Sequence, residues 1–199
     1  MKKTELEKLE KRKGMIDMMT SMHSELSSMY RKNIFVLDIL LVILSIILLT
    51  FVFADQYLLT NFRIDEVVLK LILGLATVLL TVLSLLSYIF DWRGKKTCHD
   101  HAFNALIVLK NEWKLFLFNK KNITYENVNS LERTTALILS QCIKIDDKLF
   151  NKLKKKHYMK VALSKSISDN PNLPLFLHKF NLKKEAFLKS RKKYHDPNR

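Results

Sequence analysis

Two long apolar runs dominate the pattern of hydrophobic and polar positions along the chain. The first covers residues 34–54 and the second covers residues 67–90. At 1.5 Å per residue each run can cross a hydrocarbon core about 30 Å thick. Both runs must be helical, because lipid offers backbone groups no hydrogen-bond partner. Since only residues 55–66 join them, the sequence predicts an antiparallel transmembrane hairpin with a short extracytoplasmic loop.

Charged residues beside the two runs predict their orientation. Arg31 and Lys32 precede the first run, and Arg93, Lys95 and Lys96 follow the second. The connecting loop carries one arginine among three acidic residues. Because basic residues accumulate on the cytoplasmic side of membrane proteins, we expect both termini of a multi-pass protein to be cytoplasmic.

Residues 1–33, before the hairpin, are predicted to form a cytoplasmic amphipathic helix. Its apolar side chains recur at alternating steps of four and three, as helix faces do. They are Met15, Met19, Met22, Leu26 and Met29. Such a stripe packs against another cytoplasmic helix, of this chain or of a second copy, or serves as an adaptable methionine-rich binding face.

Residues 91–170, after the hairpin, are predicted to form a cytoplasmic helical domain. Its first helix is expected to run straight on from the second span, because Gly94 weakens a helix without ending it. Thr124 is a candidate N-cap of the next helix, and a third helix is expected from about Asp146. The first helix carries an apolar stripe that we expect to assemble the cytoplasmic helices: Ala102, Leu106, Leu109, Trp113 and Phe116.

Residues 171–199 mix phenylalanines with lysines after the helix-ending prolines Pro171 and Pro174. This composition predicts a basic amphipathic tail that lies on the inner leaflet.

A polar stripe lies inside the second predicted span. Its members, again at steps of four and three, are Lys70, Gly74, Thr77, Thr81, Ser84 and Tyr88. At about 100° per residue they share one narrow sector of the helix. In lipid, small and polar residues gather where helices meet or where water enters. The stripe therefore predicts either packing, against the first span or a neighbouring chain, or the lining of a water path through an oligomer.

Asp38 is an acidic residue inside the first span, near its cytoplasmic boundary. Lys70 lies near the opposite boundary of the second span, so the two charges are at different depths and cannot pair within one hairpin. Each charged side chain is expected to extend to the membrane–water interface that lies nearer to it. Arg93 is a candidate partner for Asp38.

Composition and charge narrow the class of protein. Three Gly and three Pro in 199 residues argue against turn-rich β architectures, so we expect an all-α membrane protein. The chain carries 34 basic and 19 acidic residues, and the excess lies after residue 90. Each Lys or Arg near an anionic leaflet gains about 1 kcal/mol, so we expect the bilayer and its anionic lipids as partners. Direct nucleic-acid binding through the lysine-rich segment 152–160 is the less favoured alternative explanation of this charge.

No catalytic motif is present in the sequence. It has no Gly-rich phosphate loop, no metalloprotease pair and no nucleophile elbow, so we expect neither an enzyme nor a cofactor. Cys98 and His101 share a helix face, but structural zinc needs four ligands. We therefore expect no metal site there, only polar residues close to the membrane. Cys98 and Cys142 are expected to be reduced thiols.

The layout resembles the SLATT group of bacterial two-span proteins, over about residues 15–170. The segment after the second span carries the resemblance: Asp91, Trp92, His101, Ala102, Ala105, Leu106, Leu109, Glu112 and Trp113. The resemblance implies a membrane-disrupting, pore-forming effector of bacterial anti-phage or conflict systems, located in the inner membrane. It also implies a separate sensor or nucleotide-signal protein as the trigger, and it implies no catalytic residues.

These expectations carry a structural consequence. Two helices cannot enclose a pore, so such an effector must form a homo-oligomer. The alternative is a membrane scaffold without a pore, which anchors a cytoplasmic partner through its basic helices.

Overall fold

The computed structural model describes residues 3–53, 66–118 and 124–184, and the long elements within these ranges are all α-helices. They are α1 (Lys3–Phe53), α2 (Glu66–Phe90), α3 (Trp92–Phe118), α4 (Tyr125–Gln141) and α5 (Asp147–Asp169). Residues 175–184 are helical as well. The all-α prediction is confirmed for these ranges. The predicted loop, except for its last residue, and the tail beyond residue 184 lie outside them.

Two of the helices, α1 and α2, are long and apolar enough to cross a membrane. None of the residues in their most apolar windows is buried inside the chain. Phe53 and Ile89, for example, are 78% and 70% exposed. A core helix of a soluble protein would bury such side chains, whereas hydrocarbon surroundings leave them no reason to be buried.

The helix α1 runs without interruption from the predicted cytoplasmic segment through the first predicted span. It has 51 residues, which at 1.5 Å per residue is about 77 Å. It contains no proline and only one glycine, Gly14, so nothing in its sequence breaks the backbone hydrogen-bond ladder. Any displacement of its N-terminal half is therefore transmitted directly to its apolar half.

The second span and α3 are separated by one residue, Asp91. Its backbone adopts a φ of 42°, in the left-handed region that L-residues rarely occupy. Its Oδ1 accepts a hydrogen bond of 3.0 Å from the Gly94 amide, so the side chain caps the first turn of α3. A Cβ on Gly94 would lie 2.2 Å from Asp91 Oδ2. The expectation of a helix running straight through this region is therefore wrong, because the capping carboxylate restarts the helix.

The helix α3 packs back along the first half of α1. Ser27 of α1 donates a hydrogen bond to Asp100 of α3, and Lys110 Nζ lies 3.1 Å from Asp17 Oδ1. Residue numbers fall along α1 as they rise along α3, so the two helices are antiparallel. This helix pair is the centre of the part of the structure that we call the body, which consists of the first half of α1 together with α3, α4 and α5. The helices α4 and α5 pack around the pair.

A buried cluster joins α1, α3 and α4. Its centre consists of Ile16, Leu106, Leu109 and Trp113, which are fully buried. Trp113 Nε1 donates a 2.9 Å hydrogen bond to Thr135 Oγ1 of α4, so the indole is buried without an unsatisfied donor. The predicted N-cap is confirmed, since Thr124 accepts from the Asn127 amide at the start of α4.

A second buried cluster attaches α5 to α1. It contains Met22, Leu26, Ile145 and Leu153. Beside it, Glu25 binds the ammonium groups of both Lys156 and Lys160, at 2.9 Å in the latter case. The methionine-rich stripe predicted in residues 1–33 is thus largely occupied by packing within the chain.

Candidate functional site

The two apolar helices meet along one face of each. On α2 the half-buried residues repeat at helical spacing: Leu73, Ala76, Leu80, Leu83 and Ser87. On α1 the corresponding set is Ile34, Leu37, Leu41, Leu44 and Leu48. Ile34, Leu37 and Ser87 line one small crevice together, so these faces point at each other. The contact is made almost entirely by aliphatic side chains.

The polar stripe of α2 does not lie on that face. Five of its six members, all except Lys70, are one residue beyond a member of the packing face, which rotates the stripe by about 100° around the helix. All its members are exposed in the structure: Lys70, Gly74, Thr77, Thr81, Ser84 and Tyr88. A Cβ added to Gly74 would meet no atom within 4 Å, so nothing in the described part of the chain requires a small residue there. In this structure the stripe does not pack against α1, so packing against the first span, one of the alternatives left open above, is not seen.

The threonine hydroxyls of the stripe bond within their own helix. Thr77 Oγ1 donates to the Leu73 carbonyl at 2.7 Å, and Thr81 Oγ1 donates to the Thr77 carbonyl at 2.9 Å. Hydroxyl donors satisfied in this way tolerate hydrocarbon. Their oxygen lone pairs stay available to accept from a neighbouring helix or from water.

Asp38 and Arg93 form the ion pair that the sequence suggested. Arg93 Nη2 donates to both oxygens of the Asp38 carboxylate, at 2.8 and 3.0 Å. The pair links α1 to the first turn of α3, directly after the Asp91 break. The rings of Phe90 and Trp92 stack nearby with centroids 5.5 Å apart. Both ionised groups are thereby brought together at the end of the apolar segments, where aromatic side chains are favoured in membrane proteins.

A pair of histidines lies between α1 and α3, further from the apolar helices. His23 is 0% exposed and His99 is 4% exposed, and their Nδ1 atoms are 2.9 Å apart. Tyr30 stacks on His99 at a ring-centroid distance of 5.6 Å. His23 Nε2 is buried and has no hydrogen-bond partner among the described residues. The Nδ1–Nδ1 hydrogen bond requires one nitrogen to donate and the other to accept, so the two Nδ1 atoms together hold a single proton.

The environment of the pair favours uncharged rings. Burial lowers the pKa of His23 from 6.5 to about 4, and the facing His99 adds to this effect. Burial lowers the pKa of His99 as well, although the Asp100 carboxylate opposes the shift. Hydrogen bonds from Lys96 and Ser27 lower the pKa of Asp100, so a carboxylate stands beside the pair at neutral pH. At neutral pH the histidines are therefore an uncharged, hydrogen-bonded contact.

The stripe predicted to assemble the cytoplasmic helices is the interior of a single chain. Ala102, Leu106, Leu109 and Trp113 are buried against α1 and α4, and Phe116 packs on the same cluster. These side chains hold α1, α3 and α4 of a single chain together.

The remaining predicted positions are dispersed. Cys98 and His101 are exposed, and no group of three or more potential metal ligands occurs among the described residues. In the described part of the tail, Phe176 and Phe180 are exposed on one side of the helical segment. His178 is buried and lies 2.7 Å from Ser166 Oγ, which fixes the other side to α5.

Comparison of the chain with protein-family models, with curated proteins and with solved structures gave no match.

The histidine pair is the feature that sequence reasoning missed. His99 precedes Ala102 by three residues and so extends the buried stripe of α3 by one step. His23 continues the helical spacing of Ile16 and Thr20, which are both buried. A histidine at the helical spacing of an apolar stripe is thus the sequence signal for a buried histidine. The sequence cannot show, however, that two such stripes face each other.

Proposed function

We propose that this chain is a membrane effector that oligomerises through its spans and permeabilises the bacterial inner membrane, with both termini in the cytoplasm. The observation that supports it is the position of the polar stripe. Small and hydroxyl-bearing residues occupy an exposed sector of α2 that α1 does not cover. In a bilayer such a sector is stabilised by a neighbouring helix or by water.

The biological setting comes from the SLATT-like layout. It suggests an anti-phage or conflict system in which a separate sensor or nucleotide-signal protein releases the effector. The trigger acts by favouring one of two subunit arrangements, packed or open, since a ligand shifts an equilibrium only through differential affinity. The exposed Phe176 and Phe180, next to lysines in residues 175–184, suit contact with anionic lipids.

Inducible expression with a membrane-potential dye tests the proposal. The wild-type chain, with its genomic neighbours supplied, is expected to depolarise cells and arrest growth. The triple variant Thr77→Leu, Thr81→Leu and Ser84→Leu should insert normally but lose depolarisation. A matched control replaces exposed apolar residues off the stripe, as Val78→Leu, Val82→Leu and Ile89→Leu, and should keep it. Equal depolarisation by both triple variants would refute the role of the stripe.

A scaffold without a pore is the second candidate, favoured by the basic surface of α5. Lys152, Lys154 and Lys155 are exposed there and available to an acidic partner. The same stripe variant separates the candidates, because a scaffold would retain its partner and would never depolarise cells. Replacing the three lysines with glutamine should release the partner of a scaffold and leave depolarisation by an effector intact.

A further inference from the structure

The body outside the spans is held to α1 by contacts of two kinds. Far from the apolar segments the contact is a dry cluster around Trp113, whose buried members Leu9, Ile16, Leu106, Leu109 and Trp113 are all apolar. Closer to them, the α1–α3 contact includes the buried His23–His99 pair. Because α1 is one unbroken helix, this contact controls how closely α3 follows α1 towards the second span.

We propose that the His23–His99 pair is a latch between α1 and α3 that protons release. One shared proton is compatible with the 2.9 Å contact between the Nδ1 atoms. Uptake of one further proton leaves an imidazolium that can still donate to the neutral ring. Uptake of two makes both rings cations with protons on both Nδ1 atoms, so the hydrogen bond is lost and two positive charges face each other in a buried site. His23 Nε2, which is buried without a partner among the described residues, offers no compensating contact for the new charge.

The charged and titratable groups around the pair do not cancel this effect. On α3 they include Asp100, which Lys96 and Ser27 already engage. On α1 and α5 they include Glu25, which Lys156 and Lys160 already engage. The titratable groups that contact the pair, flank it in sequence or bind its flanking residues are, among the described residues, Glu25, Tyr30, Lys96, Cys98, Asp100, His101, Lys156 and Lys160. The nearby carboxylates are thus occupied by lysines, and a new imidazolium would have to compete for them.

The direction in which pH shifts the equilibrium between the closed and the separated helices follows from which of the two states binds more protons. The pKa of His23 is about 4 in the closed state and returns towards 6.5 when the helices separate. The separated state then binds more protons, so the closed state is favoured above about pH 6.5 and loses this advantage as the pH falls towards 4. For each proton taken up, the separation equilibrium rises by up to about tenfold per pH unit in this window.

The latch deepens the proposed function, because a leak that acidified the cytoplasm would loosen the body that holds the spans together. Its test measures helix separation and not permeability, so the two proposals can fail independently. Spin labels at Arg31→Cys and Lys95→Cys, both exposed, report the α1–α3 distance beside the latch. The measurement uses the full chain in lipid nanodiscs, with Cys98→Ser and Cys142→Ser to remove competing thiols.

On lowering the pH from 7.5 to 5, the wild-type background is expected to gain a population at longer distance, roughly tenfold or more. Asparagine places polar atoms near the position of Nδ1 and does not titrate here, so His23→Asn with His99→Asn should abolish the response. The matched control His101→Asn, on the exposed side of α3, should respond like the wild type. An unchanged distance in the wild type, or an equal response in the double variant, would overturn the proposal.

Discussion

The two halves of α1 belong to one helix but are packed by different physics. The first half lies against α3, α4 and α5, buries Ile16 and His23 completely, and is linked to its neighbours by several ion pairs. The second half touches α2 along a narrow aliphatic seam and buries no residue fully.

The body and the spans therefore obtain their stability from different interactions. In water, apolar burial stabilises the body by about 25 cal/mol per Å², so its stripes must be covered within the chain. Hydrocarbon provides no such force between spans, which associate through close packing and polar contacts. The oligomer proposed above would therefore form through the spans, because the apolar stripes of the body are covered within the chain.

The largest effect is expected in the dry cluster. Trp113→Ala removes a fully buried indole and leaves Thr135 without its donor. It should lower the free energy of unfolding by about 3–5 kcal/mol. Thermal unfolding of the detergent-purified protein measures the loss. Phe118→Ala, at an 85% exposed position on the same helix, should have little effect.

The same residue type in the two halves of α1 tests the comparison directly. Leu26→Ala, at a position 1% exposed, should cost about 2–5 kcal/mol in thermal unfolding. Leu49→Ala, at a position 58% exposed, should change stability by well under 1 kcal/mol. Similar losses for both would mean that the spans bury more surface than the chain shows by itself, as in a tight oligomer.

The attachment of α5 should depend on pH through Glu25. Hydrogen bonds from Lys156 and Lys160 lower the pKa of Glu25 in the folded state. The carboxylate therefore stabilises the fold above its ordinary value of 4.5, and this contribution is lost as the pH falls through the lowered value.

For this partly exposed group, Glu25→Gln should cost about 1 kcal/mol at pH 7 and low salt, and less at high salt. The melting temperatures of the variant and the wild type, compared at pH 7 and at pH 3, check the sign. A larger difference at pH 3 than at pH 7 would contradict it.

The smallest effect is expected at the glycines. Gly94→Ala displaces the Asp91 carboxylate from the first turn of α3 and should cost about 1 kcal/mol. Gly14→Ala, where a Cβ meets nothing within 4 Å, should instead stabilise α1 by up to about 1 kcal/mol. A melting temperature that stays unchanged or rises for Gly94→Ala would show that the cap at Asp91 is unimportant.

Four features could be predicted from local patterns in the amino-acid sequence: the helical class, the two apolar helices, the Thr124 cap and the buried face of α3. These depend on local periodicity and on one-residue capping chemistry, both of which act along a single helix. The break at Asp91 could not be predicted, because it depends on a side chain that folds back onto the next turn.

The tertiary structure decided which faces meet. The stripe at Gly74 and Thr77 and the face at Leu73 and Ala76 have the same period, and only the packing of α1 against α2 shows which is covered. The contact of His23 with His99 joins residues far apart in sequence, so no local pattern determines it. Periodicity along one helix determines which of its faces is apolar. Which other helix that face packs against depends on how all the helices together bury apolar surface away from water in the body and leave it exposed in the spans.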